Sequence, residues 1–179
     1  MNGKNQLVVM ALGPDRVGLV AQVSGFIRER GGNVEDSRMA VLGSEFGVMV
    51  LVSGSEEQLA RLESESSKLT DAGMDILVRR TTTPLEADRS RQRAVVVAEA
   101  LDHEGIVHSL SAAIERLGVS IAALETACYP APLSGGPLFR LEAVLELPTA
   151  IDLDGVRKGL VDVADAENLD LEVRMLEPR

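Results

Sequence analysis

The sequence predicts an α+β fold made of two copies of one small unit, each in the order strand, helix, strand, strand, helix, strand. Three observations lead to this prediction. An internal repeat spans most of the 179-residue chain, apolar residues alternate between strand spacing and helix spacing, and glycine-containing turns stand where the spacing changes. The elements of the first copy can be justified in chain order, and the second copy repeats them.

The first copy opens with an apolar, valine-rich run at residues 6–12 that ends at Gly-Pro and is typical of a buried strand. From Arg16 the apolar residues recur three and four apart, which predicts an amphipathic helix that ends at Gly31-Gly32, with Asp15 as its N-cap. The apolar face of this predicted helix consists of Leu19, Val20, Val23, Phe26 and Ile27.

The remaining elements of the first copy are a hairpin, a helix and a closing strand. Residues 34–41 and 46–52 flank Leu-Gly-Ser-Glu as the two strands of a hairpin. Residues 55–72 start with a Ser-x-x-Gln capping signal and are predicted as one helix, and residues 74–80 close the unit as a strand. This order is that of the ferredoxin-like split-βαβ motif, with helices on one face of a four-stranded antiparallel sheet.

The repeat itself is direct: residues 7–40 align with residues 94–127 without a gap, at an offset of 87 residues. The matches fall at glycines and at apolar positions with helical spacing, which are the positions that a shared structure preserves. They include Gly18 with Gly105, Val23 with Leu110, Ile27 with Ile114 and Gly31 with Gly118. The second copy carries six extra residues within YPAPLSGGP, either a partner contact or a longer hairpin loop.

We therefore predict two domains, 1–82 and 92–179, joined by a polar linker at 83–91. The helices cover only one face of each sheet, so another layer of protein is expected to cover the other face. The two sheets are expected to join side by side or to pack against a partner, so a homodimer is expected.

The net charge of −10 argues against nucleic acid as a direct partner, because phosphate binding needs a basic surface and both halves of the chain are acidic. Aromatic residues make up only 2% of the chain, which argues against recognition by ring stacking. The single cysteine, Cys128, excludes an internal disulfide and is predicted as a half-buried strand residue. The apolar run at the N-terminus is too short for a signal peptide or membrane span, so a cytoplasmic location is expected.

The turn from the first strand into the first helix, LGPDRVGLV, is the segment most suggestive of ligand binding. Its Gly-x-x-x-x-Gly spacing lacks the Lys and Ser/Thr of a nucleotide-binding loop, so nucleoside triphosphates and other cofactors are not expected. Backbone N–H groups at the helix start favour a carboxylate, and Gly18 lets a ligand approach. Asp15 can accept from an ammonium group, and Asn33, expected near the same end of the sheet, can donate and accept. A zwitterionic amino acid fits this combination, whereas the alternative is a helix cap, a packing glycine and a turn residue.

In the second copy the turn reads Leu-Asp-His-Glu-Gly, and Ser120 replaces Asn33. His103 is either a ligand contact or a solvated loop residue. His103 and His108 are expected on different helix faces with no further histidine or cysteine to complete a set, so no metal site is predicted. No nucleophile elbow occurs in the sequence, and no catalytic residue is predicted.

The string PDRVGLVAQVSGFIRERGGNVEDSRM resembles the opening of an ACT domain, a small ligand-sensing module of amino-acid metabolism. The form with Pro-Asp-Arg-x-Gly and a following Gly-x-Asn is similar to that of the glycine cleavage system transcriptional repressor family. It is also similar to the regulatory ends of phosphoserine phosphatase and formyltetrahydrofolate deformylase. The string DHEGIVHSLSAAIERLGVSI is a weaker second instance, which departs from the motif at Leu101, His103 and Ser120.

The resemblance implies a βαββαβ fold and an amino-acid effector bound where domains meet, between the turn and first helix of one and a strand of the next. On this chain it points to Gly13, Asp15, Arg16, Gly18 and Asn33, and to a degraded or differently selective second site at Asp102, His103, Gly105 and Ser120. It further implies a stand-alone, non-catalytic sensor that acts on a protein partner, such as a transcription activator of glycine catabolism, without touching DNA. The alternatives are a constitutive adaptor with vestigial ligand sites and a small enzyme that depends on His103.

Overall fold

Two four-stranded antiparallel sheets carry the fold, one in each of the two units into which the chain divides, Met1–Ala87 and Asp88–Arg179. The computed structural model describes residues 5–71, 73–82, 92–132 and 135–176. The predicted linker at 83–91 lies outside these residues, and the domain bounds at 82 and 92 stay a prediction.

Each unit has the predicted βαββαβ order, with one helix divided in two in the first unit. The elements of the first unit are β1 (Asn5–Pro14), α1 (Leu19–Glu29), β2 (Asn33–Leu42), β3 (Glu45–Ser53), α2 (Glu56–Ser64), α3 (Ser67–Thr70) and β4 (Asp75–Thr82). Those of the second are β5 (Gln92–Leu101), α4 (Ile106–Arg116), β6 (Ser120–Pro130), β7 (Pro137–Leu147), α5 (Leu153–Glu167) and β8 (Asp170–Met175). The strand orders, β2-β3-β1-β4 and β6-β7-β5-β8, are equivalent, so the predicted fold class is confirmed.

A separate, mainly aliphatic core lies between the sheet and the helices of each unit. Because successive strand residues point to opposite faces, Leu7, Val9 and Ala11 of β1 are buried in the first core. On the other face of the same sheet, apolar side chains remain exposed at Met10, Leu12, Met49 and Leu77. The first sheet therefore has an apolar face that its own helices do not cover, as the sequence predicts.

The two helices that follow the first strands begin later than predicted. The N-cap of α1 is Gly18, in the left-handed region at φ +96°, and no side chain caps this helix end, so the prediction of Asp15 as the N-cap is wrong. The backbone N–H of Asp15 instead donates to the carbonyl of Ser44 at 2.8 Å, which binds the turn to the β2–β3 hairpin. The same pattern recurs in the second unit, where Gly105 starts α4 at φ +100° and the Asp102 N–H donates to the carbonyl of Pro137.

The predicted helix at 55–72 is divided into α2 and α3 around Glu65 and Ser66. Its start is as predicted, since Ser55 and Gln58 form a capping box. The break falls in the serine-rich segment ESESSK, where the hydroxyls of Ser64 and Ser66 donate to the carbonyls of Arg61 and Glu63. Serine hydroxyls that bond to the helix backbone weaken helix continuity, which accounts for the difference.

Glu65 lies at this break and receives hydrogen bonds from three basic side chains. Lys68 Nζ lies 2.6 Å, Arg61 Nε 3.0 Å and Arg30 Nη2 2.8 Å from the Glu65 carboxylate oxygens. The hydrogen bonds from Lys68, Arg61 and Arg30, in that order, lower the pKa of Glu65 from 4.5 to about 2. The carboxylate thus joins the C-terminal end of α1 to the junction of α2 and α3.

Replacing Glu65 by glutamine is expected to make the stability of the protein less sensitive to acid. A carboxylate whose pKa is lower in the folded state stabilises the protein fully above its unfolded value of 4.5. That contribution is lost as the pH falls through about 2. Urea unfolding should be measured between pH 4.5 and about pH 2. The difference in the free energy of unfolding between wild type and Glu65→Gln should become smaller as the pH falls. A difference that does not change with pH would contradict the stabilising role of the hydrogen bonds to Glu65. Glu57→Gln, an exposed position on α2, provides the control.

Candidate functional site

A groove in the first unit lies beside the turn between β1 and α1 and has a volume of about 530 Å³. It lies between the first turns of α1 and the end of β2. Its lining residues are Asp15, Arg16, Gly18, Leu19, Val20, Ala21, Ser24, Val41 and Phe46. Three predicted site residues, Asp15, Arg16 and Gly18, therefore share one surface depression.

The charged residues of the groove lie at its turn end. Asp15 and Arg16 are exposed, and Arg16 Nη2 donates to Gln22 Oε1 at 2.8 Å. Gly18 is exposed and would have open space around a Cβ atom, so its role is to adopt the left-handed backbone that starts the helix. The helix consequently begins at the groove without a side chain on its first N–H groups.

Gly13 is not part of the groove lining, contrary to its expected role as a ligand contact. It is buried in β1, and a Cβ atom at this position would lie 2.8 Å from the backbone oxygen of Gly73 and 3.2 Å from Cγ of Met74. The position thus needs glycine because the chain before β4 packs directly against β1. Gly13 supports the turn through packing.

Asn33 lies at the opposite end of the sheet from the turn, so the expectation of a shared end is wrong. Asn33 and Gln6 both pair with Ser53 across the sheet, whereas Gly13 pairs with Phe46. The stretch of β1 from Gln6 to Gly13 separates these two ends of the sheet by about 25 Å. The amide of Asn33 donates to Glu35 Oε1 at 3.2 Å. Within one unit, Asn33 and Asp15 cannot contact the same amino acid.

The second unit repeats this geometry with different side chains. Asp102, His103 and Gly105 lie together at the exposed β5–α4 turn, while Ser120 pairs with Glu146, far from the level of Leu101 and Leu138. The predicted residues of the second copy are therefore divided between the two ends of the sheet as well.

His103 is bound to the neighbouring helix end. Its Nδ1 lies 3.1 Å from the carbonyl oxygen of Glu104, and its Nε2 lies 3.3 Å from the carbonyl oxygen of Glu167 at the end of α5. Both ring nitrogens can donate only when the imidazole is protonated. The carbonyls of Glu104 and Glu167 accordingly raise the pKa of His103 above 6.5. This histidine occupies the position that Arg16 has in the first unit.

Cys128 lies on β6 and is exposed, whereas a half-buried position is expected from the sequence. Desolvation by surrounding atoms and the charge of Asp102 raise the pKa of its thiol. A raised pKa is the opposite of what a cysteine nucleophile requires. Within the residues that the structure describes, no group of three His, Cys, Asp or Glu side chains is placed to hold a metal ion.

The apolar wall of the groove is the part of the site that the sequence prediction missed. Val20 is predicted on the buried face of the helix, yet it is 47% exposed and lines the groove. Val41, on β2, is 50% exposed and lines the groove as well. The signal available in the sequence was that Val20 lies at the edge of the apolar stripe on α1.

Comparisons with known proteins extend over both units. The ACT domain family matches residues 5–79. The chain is 27% identical over 160 residues to the glycine cleavage system transcriptional repressor of Escherichia coli K12, covering 89% of this chain and 84% of the relative.

Two solved structures match nearly the full length. A protein of unknown function from Galdieria sulphuraria superposes with a TM-score of 0.78 at 31% identity, over 97% of this chain and 99% of the other. A candidate glycine cleavage system transcriptional repressor superposes with a TM-score of 0.72 at 21% identity, over 98% and 99% of the two chains. The second match supports the tandem fold alone. None of the described helices is long and apolar enough to cross a membrane.

Proposed function

We propose that this chain, whose residues 5–79 match the ACT domain family, is a non-catalytic regulatory protein that binds a small amino acid and thereby modulates a protein partner. The observation that carries this proposal is the groove at the β1–α1 turn, which combines charged groups with an open helix start. The similarity to the Escherichia coli repressor makes a transcription regulator of glycine cleavage the candidate partner. The acidic charge of the chain supports action through a protein and not directly on DNA.

The helix starts support carboxylate binding at the two turns. Ser55 and Asp152 cap α2 and α5 with their side chains, whereas α1 and α4 begin at left-handed Gly18 and Gly105 without such a cap. N–H groups at a helix N-terminus favour an anion, and a ligand carboxylate satisfies them in the absence of a side chain. The turn is thus suited to the carboxylate end of an amino acid.

The ammonium end of the ligand needs an acceptor, which Asp15 supplies in the first unit. The proposed first site comprises Asp15, Arg16 and Gly18, and the proposed second site comprises Asp102, His103 and Gly105. Asn33 and Ser120, at the other end of each sheet, are not part of these two proposed sites. The engagement of His103 with Glu167 supports a second site of different selectivity.

Isothermal titration of the full-length protein with individual amino acids tests the proposal. At least one amino acid should bind, and Asp15→Asn should raise its Kd about 10-fold or more, because a charge-assisted hydrogen bond is lost. Asp71→Asn, an exposed aspartate in the same unit, should leave the Kd unchanged. If no amino acid binds, the sensor proposal is overturned and the constitutive adaptor remains.

A further inference from the structure

The groove of the first unit is apolar over most of its lining and polar at one end. Leu19 and Phe46, 3% and 8% exposed, are buried members of its lining, whereas Val20 on α1 and Val41 on β2 are exposed members. The hydroxyl of Ser24 donates to the carbonyl of Val20 at 2.7 Å and is thus turned to its own helix. Beyond Asp15 and Arg16, the lining side chains offered to a ligand are apolar.

This distribution matches a ligand with charge at one end and a branched hydrocarbon at the other. An α-amino group next to Asp15, with the carboxylate at the helix start and Arg16, places the side chain between the two valines. Covering apolar surface stabilises a complex by about 25 cal/mol per Å². Glycine has no side chain to cover the valines, whereas leucine, isoleucine and valine do.

We propose that the ligand of the first unit is an aliphatic amino acid, namely leucine, isoleucine or valine, whose side chain is held between Val20 and Val41. The inference rests on the proposed function and adds the ligand class. It differs from the expectation that follows from the Escherichia coli relative, whose name refers to glycine cleavage.

The second unit repeats only part of this apolar lining. In the repeat alignment Val107 matches Val20, but His108 replaces Ala21 and Cys128 replaces Val41. The strand register supports the last equivalence, since Val41 pairs with Phe46 and Cys128 pairs with Phe139. The second unit therefore lacks the pair of exposed valines that the first unit has at these two positions. The aliphatic preference is accordingly expected of the first unit.

Titration of the full-length protein with leucine, isoleucine, valine, serine and glycine tests the ligand class. At least one of the three aliphatic amino acids is expected to bind about 10-fold or more tightly than glycine or serine. Val20→Thr and Val41→Thr should each weaken that binding about 10-fold without changing the affinity for glycine. Both positions are exposed, so threonine should be tolerated by the fold, which urea unfolding checks.

Val107→Thr is the matched control, because Val107 occupies on α4 the position of Val20 on α1 and is 41% exposed. It should leave aliphatic amino-acid binding unchanged. Tighter binding of glycine or serine, or unchanged aliphatic binding in both valine variants, would overturn the ligand class while the sensor function stands. Binding of no amino acid at all would overturn the proposed function and this inference with it.

Discussion

Arg30→Ala is expected to lower the free energy of unfolding by about 3 kcal/mol, since it removes a buried side chain together with its cation–π contact and a partly buried ion pair. Arg30 is 6% exposed, and its guanidinium lies 3.7 Å from the ring centroid of Phe26. Its Nη1 donates to the carbonyl of Phe26 at 2.8 Å, and its Nε and Nη2 donate to Glu65 at 3.1 and 2.8 Å. Alanine removes the cation–π contact, these hydrogen bonds and the packing of the side chain.

Urea unfolding of Arg30→Ala beside Arg28→Ala measures this effect. Arg28 is exposed on the same helix, so its replacement should change the free energy of unfolding by less than about 0.5 kcal/mol. Equal losses of unfolding free energy in the two variants would show that the contacts of Arg30 do not stabilise the fold. Because Arg30 follows the C-terminal end of α1 and the groove lies at its start, amino-acid binding by the folded variant should be unchanged.

Gly13→Ala is expected to lower the free energy of unfolding by about 2 kcal/mol, although alanine adds only one methyl group. That methyl group would lie 2.8 Å from the backbone oxygen of Gly73, and a backbone atom cannot move aside as a flexible side chain does. The folded fraction should still bind the amino acid with unchanged Kd, because Gly13 does not line the groove. Urea unfolding and titration of the same sample measure the two effects.

Gly47→Ala provides the comparison on the neighbouring strand. The nearest atoms to a Cβ at Gly47 are Leu12 Cδ1 at 3.7 Å and the Ala40 oxygen at 3.9 Å, which are ordinary contacts. Alanine there should leave the stability unchanged or raise it by up to about 1 kcal/mol. A Gly13→Ala variant as stable as wild type would rule out the packing role. Loss of amino-acid binding by the folded fraction of Gly13→Ala would show that Gly13 belongs to the binding site.

Local signals in the sequence predicted most of the fold. The repeat at an offset of 87 residues predicted two equivalent units, and the structure shows the equivalence in the left-handed starts at Gly18 and Gly105. The strand bulges also recur, between Val34 and Asp36 and between Ile121 and Ala123. The Ser-x-x-Gln signal at Ser55 formed its capping box as predicted. The capping box depends on residues close together in the chain, so the spacing of residue types is sufficient to predict it. The bulges shift the pairing of two strands and were not predicted.

The sequence predicted only part of the candidate site, because only part of it is formed by residues that are close together in the chain. The sequence by itself placed Asp15, Arg16 and Gly18 on one turn, because neighbours in the chain must lie together. Strand direction decided that Asn33 lies at the far end of the sheet. Both β1 and β2 are antiparallel to β3, so β2 starts at the end of the sheet where β1 starts, away from the turn.

Tertiary packing decided the rest. The helix stripe contained Val20 and the hairpin contained Val41, but only the position of α1 against the sheet showed that both valines remain exposed around one groove. The burial of Arg30 likewise follows from contacts with Phe26 and with the distant Glu65. The sequence determined the elements and their turns because those are local. Which side chains meet across elements was decided by the tertiary structure, since such contacts depend on register and packing between segments far apart in the chain.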